Sequence, residues 1–187
     1  MKHSNKELWL ALLAIFLITA VYTLVVFITR AIPPAGELFG HLIGVLGFVL
    51  MLMTEVLYSI RKRSRSARWG RMSSWLQFHI FTGLVGPYLV LLHSSWKFNG
   101  LAGATTLLTA IIVVSGFIGR YIYTRIPRNL DGIEQESPLG GVQAAALVRA
   151  RRLLAIWHTV HIPIGVALFA SAFIHIGAAL YYATLLR

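Results

Sequence analysis

The chain has 187 residues, of which 57% are hydrophobic and 12% charged, and it contains no cysteine. Disulfides and thiolate-bound iron–sulfur clusters are therefore excluded within this chain. The net charge of +11 does not indicate nucleic acid as a partner, because the basic residues lie in the gaps between apolar runs, where membrane topology places them.

Five apolar segments follow one another along the chain, each about as long as a helix that crosses a bilayer. We therefore predict an all-α integral membrane protein, a single domain over residues 1–187 whose five transmembrane helices contact the lipid bilayer. The first segment is too long for the core of a secretory signal and lacks a small-residue cleavage site, so we expect it to be retained. The predicted spans are residues 8–29, 37–60, 75–96, 101–123 and 153–183.

The basic residues predict the orientation. Fourteen of the 17 Lys and Arg residues fall before residue 8, within 61–71 or within 120–152, and these stretches share one side of the membrane if the five spans alternate. The positive-inside rule places that side in the cytoplasm. We therefore expect an N-terminus in the cytoplasm, a C-terminus outside, and cytoplasmic loops at 61–74 and 124–152, the second of which is expected to be partly helical after Val142.

The third and fifth segments each contain two histidines with the same spacing: His79 and His93 in one, His161 and His175 in the other. On an α-helix, fourteen residues rise about 21 Å and return to nearly the same face. The third and fifth spans run in the same direction across the membrane in the predicted topology. His79 and His161 then share one depth, and His93 and His175 share another.

Polar side chains in hydrocarbon are costly unless they have a partner or a function. Hydrogen bonds between helices are one explanation for these histidines. Two equal spacings on parallel spans favour a second explanation, which is that two haem groups are stacked across the membrane. One imidazole nitrogen can bind iron while the other N–H is held by the protein.

His158 lies one turn before His161 and is the alternative ligand, but its ring is turned about 100° off the face shared with His175.

Small and charged residues near the histidines are candidates for contacts with a flat macrocycle. Glycines let such a group approach a helix closely, and Arg120 and Lys97 suit haem propionates, although each also fits an interfacial charge. Gly40, Gly44 and Gly47 share one side of the second span, where helix packing is the preferred interpretation. The candidate glycines at the haems are Gly83, Gly86, Gly116 and Gly165.

The segments HIFTGLVGPYLVLLH and HIPIGVALFASAFIH resemble the haem-binding helices of di-haem membrane cytochromes b, and FNGLAGATTLLTAIIVVSGFIGRYIYTRIPR looks like part of a bacterial group of small cytochromes b. In the cytochrome b of respiratory bc complexes, two helices each carry two histidines with 13 residues between them. The resemblance covers residues 75–182. It implies two haem b groups, with His79 and His161 as axial ligands of the inner one and His93 and His175 of the outer one.

The chain is shorter than the bc-complex subunit and lacks its Pro-Glu-Trp-Tyr segment, so the closer analogy is a small cytochrome b subunit that anchors a redox complex. The resemblance implies transmembrane electron transfer in a bacterial cytoplasmic membrane, between quinone and redox partner subunits. Glu55 and His158 at the inner side, and His41 and Glu37 at the outer side, are candidates for proton exchange with quinone. The alternatives are a histidine-lined carrier of metal ions or protons, and a structural anchor without a cofactor.

Overall fold

The structure, a computed structural model, describes residues 5–63, 70–126 and 141–185; for residues 141–143 and 183–185 it describes the backbone alone. The described chain is helical, and five of its helices are long and apolar enough to cross a bilayer. The predicted all-α, multi-pass membrane protein is therefore confirmed. In chain order the helices are α1 (Lys6–Thr29), α2 (Leu38–Arg63), α3 (Met72–His93), α4 (Gly100–Tyr123) and α5 (Gly141–Leu185).

The third helix ends three residues before the predicted limit at Trp96. Ser95 and Trp96 have φ angles of 48° and 61°, in the left-handed region that cannot continue a right-handed helix. The Ser95 hydroxyl donates a hydrogen bond to the Pro33 carbonyl, 2.6 Å away. The end of α3 is thereby tied to the turn before α2.

The fifth helix begins at Gly141, twelve residues before the predicted start of the last span. Residues 144–150 contain four alanines and a leucine, which strongly favour a helix. The arginines that follow lower the hydropathy of this segment, so the predicted span does not include it. With 45 residues, α5 is about 68 Å long, more than twice the hydrocarbon thickness of about 30 Å. The helix is therefore too long for all of it to lie within the hydrocarbon of a bilayer.

Much of the two predicted cytoplasmic loops lies at 64–69 and 127–140, outside the described residues. Several of the charged residues that fix the predicted orientation belong to these stretches. The orientation of the termini therefore stays a prediction.

The chain divides into two compact units, whose described parts are α1–α3 with their connections, and α4 with α5. In unit 1, α2 and α3 are antiparallel and α1 packs on α3. Ala11, Val85 and Leu89 form its buried core, and the hydroxyls of Thr19 and Tyr88 form a hydrogen bond between α1 and α3.

Glycines bring α2 and α3 into close contact. A Cβ atom on Gly47 would lie 2.9 Å from the Gly86 carbonyl oxygen, and one on Gly86 would lie 2.9 Å from Cγ of Met51. Such distances leave no room for a side chain at either position. Helix packing, the preferred interpretation of the glycines in α2, is confirmed at Gly47.

In unit 2, α4 and α5 form an antiparallel pair. The hydroxyls of Thr105 and Ser171 lie 2.6 Å apart near the start of α4. At the other end, Ile126 is fully buried in a cluster with Ala150 and Leu154. The first turns of α5 therefore pack on the end of α4 and the residues that follow it.

Large apolar side chains cover the outside of the helices of both units. On α1, for example, Trp9, Phe16 and Phe27 are 71%, 68% and 63% exposed. Exposed apolar surface on this scale indicates contact with lipid rather than water.

Candidate functional site

His79 is half-buried in α3 and contacts α2. Its Nδ1 atom lies 3.1 Å from the backbone carbonyl oxygen of Thr54. Its ring packs against that of Tyr58, with 4.8 Å between the ring centroids. Thr54 and Tyr58 are one turn apart on α2, so this helix holds both one nitrogen and one side of the His79 ring.

His93, the last residue of α3, has an equivalent contact at the opposite end of the helix pair. Its Nδ1 atom lies 2.8 Å from the Gly40 carbonyl oxygen. A Cβ atom on Gly44 would lie 2.7 Å from Nδ1 and 2.8 Å from Cγ of His93. The imidazole of His93 therefore occupies space that a glycine in α2 leaves open.

The partner atoms decide which ring nitrogen carries the hydrogen. A carbonyl oxygen only accepts, so Nδ1 of a neutral imidazole facing it must donate, and the lone pair resides on Nε2. A held Nδ1–H group together with an Nε2 lone pair is the arrangement typical of histidines that bind metals. The contacts with the α2 backbone thus leave a lone pair on the Nε2 atom of both His79 and His93.

Two buried threonines connect α2 and α3 beside His79. The Thr54 hydroxyl donates to the Thr82 hydroxyl at 2.7 Å, and the Thr82 hydroxyl donates to the Phe78 carbonyl at 2.8 Å. The two threonines are 8% and 1% exposed. Because buried hydroxyls are costly without a partner, this pair favours the register in which the Thr54 carbonyl meets His79.

In unit 2, His161 contacts α4 through a side chain. Its Nδ1 atom lies 2.9 Å from the Ser115 hydroxyl oxygen. The indole of Trp157 stacks on the His161 ring, with 4.4 Å between centroids and an angle of 29° between the planes. His161 is thus held by a hydroxyl on one nitrogen and by an aromatic ring on one face.

His158, the alternative to His161, donates from Nδ1 to the Leu154 carbonyl of its own helix at 2.9 Å. Its ring meets the Trp157 indole edge-on, with 4.8 Å between centroids. Both histidines are half-buried, as is His175 further along α5. The ring contacts and burial of His158 and His161 therefore do not decide which of the two is the ligand.

The four candidate glycines differ in the space around them. Gly86 is closed by α2, as described above. A Cβ atom on Gly83 would make an ordinary 3.5 Å contact with Thr54, and one on Gly165 would come no closer than 4.0 Å to Ile112. A Cβ atom on Gly116 would meet no heavy atom of the described residues within 4 Å. Gly83, Gly116 and Gly165 thus leave room that Gly86 does not.

The candidate proton-exchange residues of α2 lie close to the histidines of α3. The rings of His41 and His93 are 6.4 Å apart between centroids, and Nδ1 of His41 lies 3.2 Å from the Glu37 carbonyl. Glu55 is exposed and directly follows Thr54, the residue whose carbonyl contacts His79. The structure thereby brings His41 and Glu55 to opposite ends of one helix pair, each beside a predicted ligand.

The predicted propionate partners belong to unit 2. Arg120 is half-buried in the last turn of α4, and Lys97 is exposed before its first turn. They therefore lie at opposite ends of α4. Each predicted ligand pair takes one histidine from unit 1 and one from unit 2, so the pairing itself stays a prediction.

Within the described residues, no three His, Asp or Glu side chains form a group that can hold a bare metal ion. A haem differs in that its porphyrin supplies four ligands and the protein needs to supply two.

Comparisons with models of protein families, with curated proteins and with solved structures find no match for this chain.

Sequence reasoning missed the residues that hold the histidines. Trp157 had a detectable signal, because it lies one turn before His161 on the same helix. The carbonyl groups of Thr54 and Gly40 had none, since every residue has a carbonyl and only the packed helices select these two. Tyr58 and Ser115 likewise become significant only through the neighbouring helix.

We predict that Thr82→Val lowers the free energy of unfolding by about 0.5–1.5 kcal/mol, because it removes a buried hydrogen bond between helices at nearly constant volume. Unfolding of the detergent-solubilised protein measures the change. Thr106→Val is the matched control, since the Thr106 hydroxyl bonds the Ala102 carbonyl of its own helix at 2.9 Å. Equal losses in the two variants would contradict a role of Thr82 in joining α2 to α3.

Proposed function

We propose that this protein is a di-haem cytochrome b of a bacterial cytoplasmic membrane, which transfers electrons across the bilayer as a subunit of a quinone-linked complex. His79 and His161 hold one haem b in this proposal, and His93 and His175 hold the other. The protein's N-terminus is cytoplasmic, and its redox partners dock at the membrane surfaces.

One observation supports the proposal above the others: the main chain of α2 holds the Nδ1 atoms of both His79 and His93. Histidines that serve only as links between helices need one hydrogen bond of any kind. Here both rings have the same tautomer, which keeps the lone pair on Nε2. That is the form required of two axial ligands about 21 Å apart along one helix.

The donor set also fits haem better than it fits a metal-ion carrier. Without cysteine in the chain, imidazole is the natural axial donor for a low-spin haem iron. The described residues hold the Nδ1 atoms of His79 and His93 against backbone carbonyls, and they include no group of three His, Asp or Glu side chains that could hold a bare ion. Of the candidate glycines, Gly116 leaves open helix surface, since a Cβ atom there would meet no heavy atom of the described residues within 4 Å.

A haem bound by two imidazoles supplies reversible exchange of one electron at an iron that has no open position for substrate. The residues of this chain orient the imidazoles. Thr54 and Gly40 accept from the Nδ1–H groups, and Gly44 provides the space for the His93 ring. Glu55 and His41 of α2 are the candidates for proton exchange with quinone in this proposal.

The first test is a reduced-minus-oxidised optical spectrum of the purified full-length protein with quantification of haem. We expect two b-type haems per chain. Alanine substitution of His79, His93, His161 or His175 should each remove about one haem, whereas His158→Ala should retain two. A colourless protein after expression with sufficient haem would overturn the proposal, and loss of haem in His158→Ala instead of His161→Ala would correct the ligand assignment.

We predict that Gly44→Ala removes or misplaces one haem, because the added methyl group would overlap the His93 ring and break its contact with the Gly40 carbonyl. Haem content and redox titration measure the effect. Gly36→Ala is the matched control, since a Cβ atom there meets no heavy atom of the described residues within 4 Å. Two intact haems with unchanged potentials in Gly44→Ala would exclude His93 as a ligand.

We predict that Glu55→Gln slows haem reduction by quinol several-fold but leaves reduction by dithionite unchanged. The substitution keeps the size of the side chain and removes its capacity to exchange protons. Stopped-flow spectroscopy with both reductants separates the two steps. Unchanged rates with quinol would argue against proton exchange through Glu55, while the haem assignment would stand.

A further inference from the structure

The histidines of the proposed haem pairs are held in two different ways. His79 and His93 face backbone carbonyls, whereas His161 faces the side-chain hydroxyl of Ser115. A carbonyl can only accept, but a hydroxyl can either donate or accept. The Ser115 contact therefore permits both tautomers of His161, with the hydrogen on Nδ1 or on Nε2.

Trp157 fixes the geometry of this contact. Its indole N–H donates to the Ser115 carbonyl at 2.8 Å and lies 3.1 Å from the Ser115 hydroxyl oxygen. The same indole stacks on the His161 ring. One side chain of α5 thus binds the serine of α4 and covers one face of the imidazole that this serine contacts.

Gly119 makes the position of Trp157 possible. It lies one turn after Ser115 on α4, and a Cβ atom there would overlap the six-membered ring of the Trp157 indole. Ser115 and Gly119 on α4, with Trp157 and His161 on α5, therefore form one packed group, which we term the Ser115–Trp157 clamp.

We infer that Ser115 and Trp157 are positioning residues that hold the His161 ring for axial ligation, an inference that rests on the proposed haem function. Coordination through Nε2 leaves the hydrogen on Nδ1, and the Ser115 oxygen then accepts it.

The clamp also implies a difference between the ligands of the inner haem. A hydrogen bond from Nδ1–H increases the electron density that imidazole donates to the metal, and so favours the ferric state. On the His79 side this bond is made by the backbone, and on the His161 side by a hydroxyl that one substitution can remove. The Ser115 hydroxyl therefore tunes the potential of one haem without touching it.

The test compares Ser115→Ala with Ser115→Thr in the haem-loaded full-length protein. We expect Ser115→Ala to retain the fold but to weaken retention of one of the two haems by about 10-fold, within the range typical of losing such a partner, and to raise the midpoint potential of that haem. Ser115→Thr, which restores a hydroxyl, should recover both values. Thr106→Ala removes a hydroxyl elsewhere on α4 and should change neither.

A second pair of variants tests the clamp through its packing. Gly119→Ala should displace Trp157 and weaken retention of the same haem as Ser115→Ala. Gly177→Ala adds a methyl group that meets no described heavy atom within 4 Å and should keep both haems. ¹⁵N NMR of His161 in haem-free protein provides an independent readout, since Ser115→Ala should change the balance between its tautomers.

The outcomes separate this inference from the proposed function. A wild-type protein that binds no haem overturns both. Two haems in the wild type, together with unchanged retention and potentials in Ser115→Ala, overturn the clamp and leave the cytochrome assignment intact. Haem loss in His158→Ala, with retention in His161→Ala, also overturns the clamp.

Discussion

An imidazole inside a bilayer has an N–H group that lipid cannot satisfy, so the protein must supply an acceptor at that position. In unit 1 the acceptors are carbonyl oxygens of α2, which already accept one hydrogen bond within their helix and use a second lone pair for histidine. Such a bond requires the two helix backbones to lie unusually close. The glycines of α2 and the buried pair of Thr54 and Thr82 follow from this requirement.

Unit 2 meets the same requirement differently. There α4 presents a serine hydroxyl instead of its main chain, and a tryptophan fills the space between the helices. Gly119 provides the recess for the indole, as Gly44 does for the His93 ring. In both units a glycine on the neighbouring helix accommodates an aromatic ring, so these glycines serve the histidines as much as they serve helix packing.

Sequence periodicity predicted the five helices because a span requires about twenty consecutive apolar residues, a local property that can be read along the chain. It failed at the end of α3, and α5 extends beyond its predicted span into a segment that was expected to be partly helical. The backbone of Ser95 and Trp96 turns left-handed at a tertiary contact with Pro33, and the first turns of α5 are helical without being apolar enough to count as a span. Hydropathy reports burial in lipid, and helix formation extends beyond it.

The candidate site was partly predictable for a related reason. The spacing of His79 and His93 is a local property, and their carbonyl partners place the hydrogen of each neutral ring on Nδ1. The groups that hold them belong to another helix, and Thr54 and Gly40 contribute atoms that every residue possesses. The pairing of His79 with His161 and of His93 with His175 takes one histidine from each unit, and it stays a prediction from the matched spacing.

The use of main-chain oxygens on α2 affects what genetics can detect. Replacing each side chain of α2 in turn would leave both carbonyl groups in place. A conventional alanine scan would therefore detect the loss of the Thr54 hydroxyl and the change in packing at Gly40, but it would not detect the hydrogen bonds of their carbonyls. The hydrogen bonds between these carbonyls and the histidines depend on the position of the backbone.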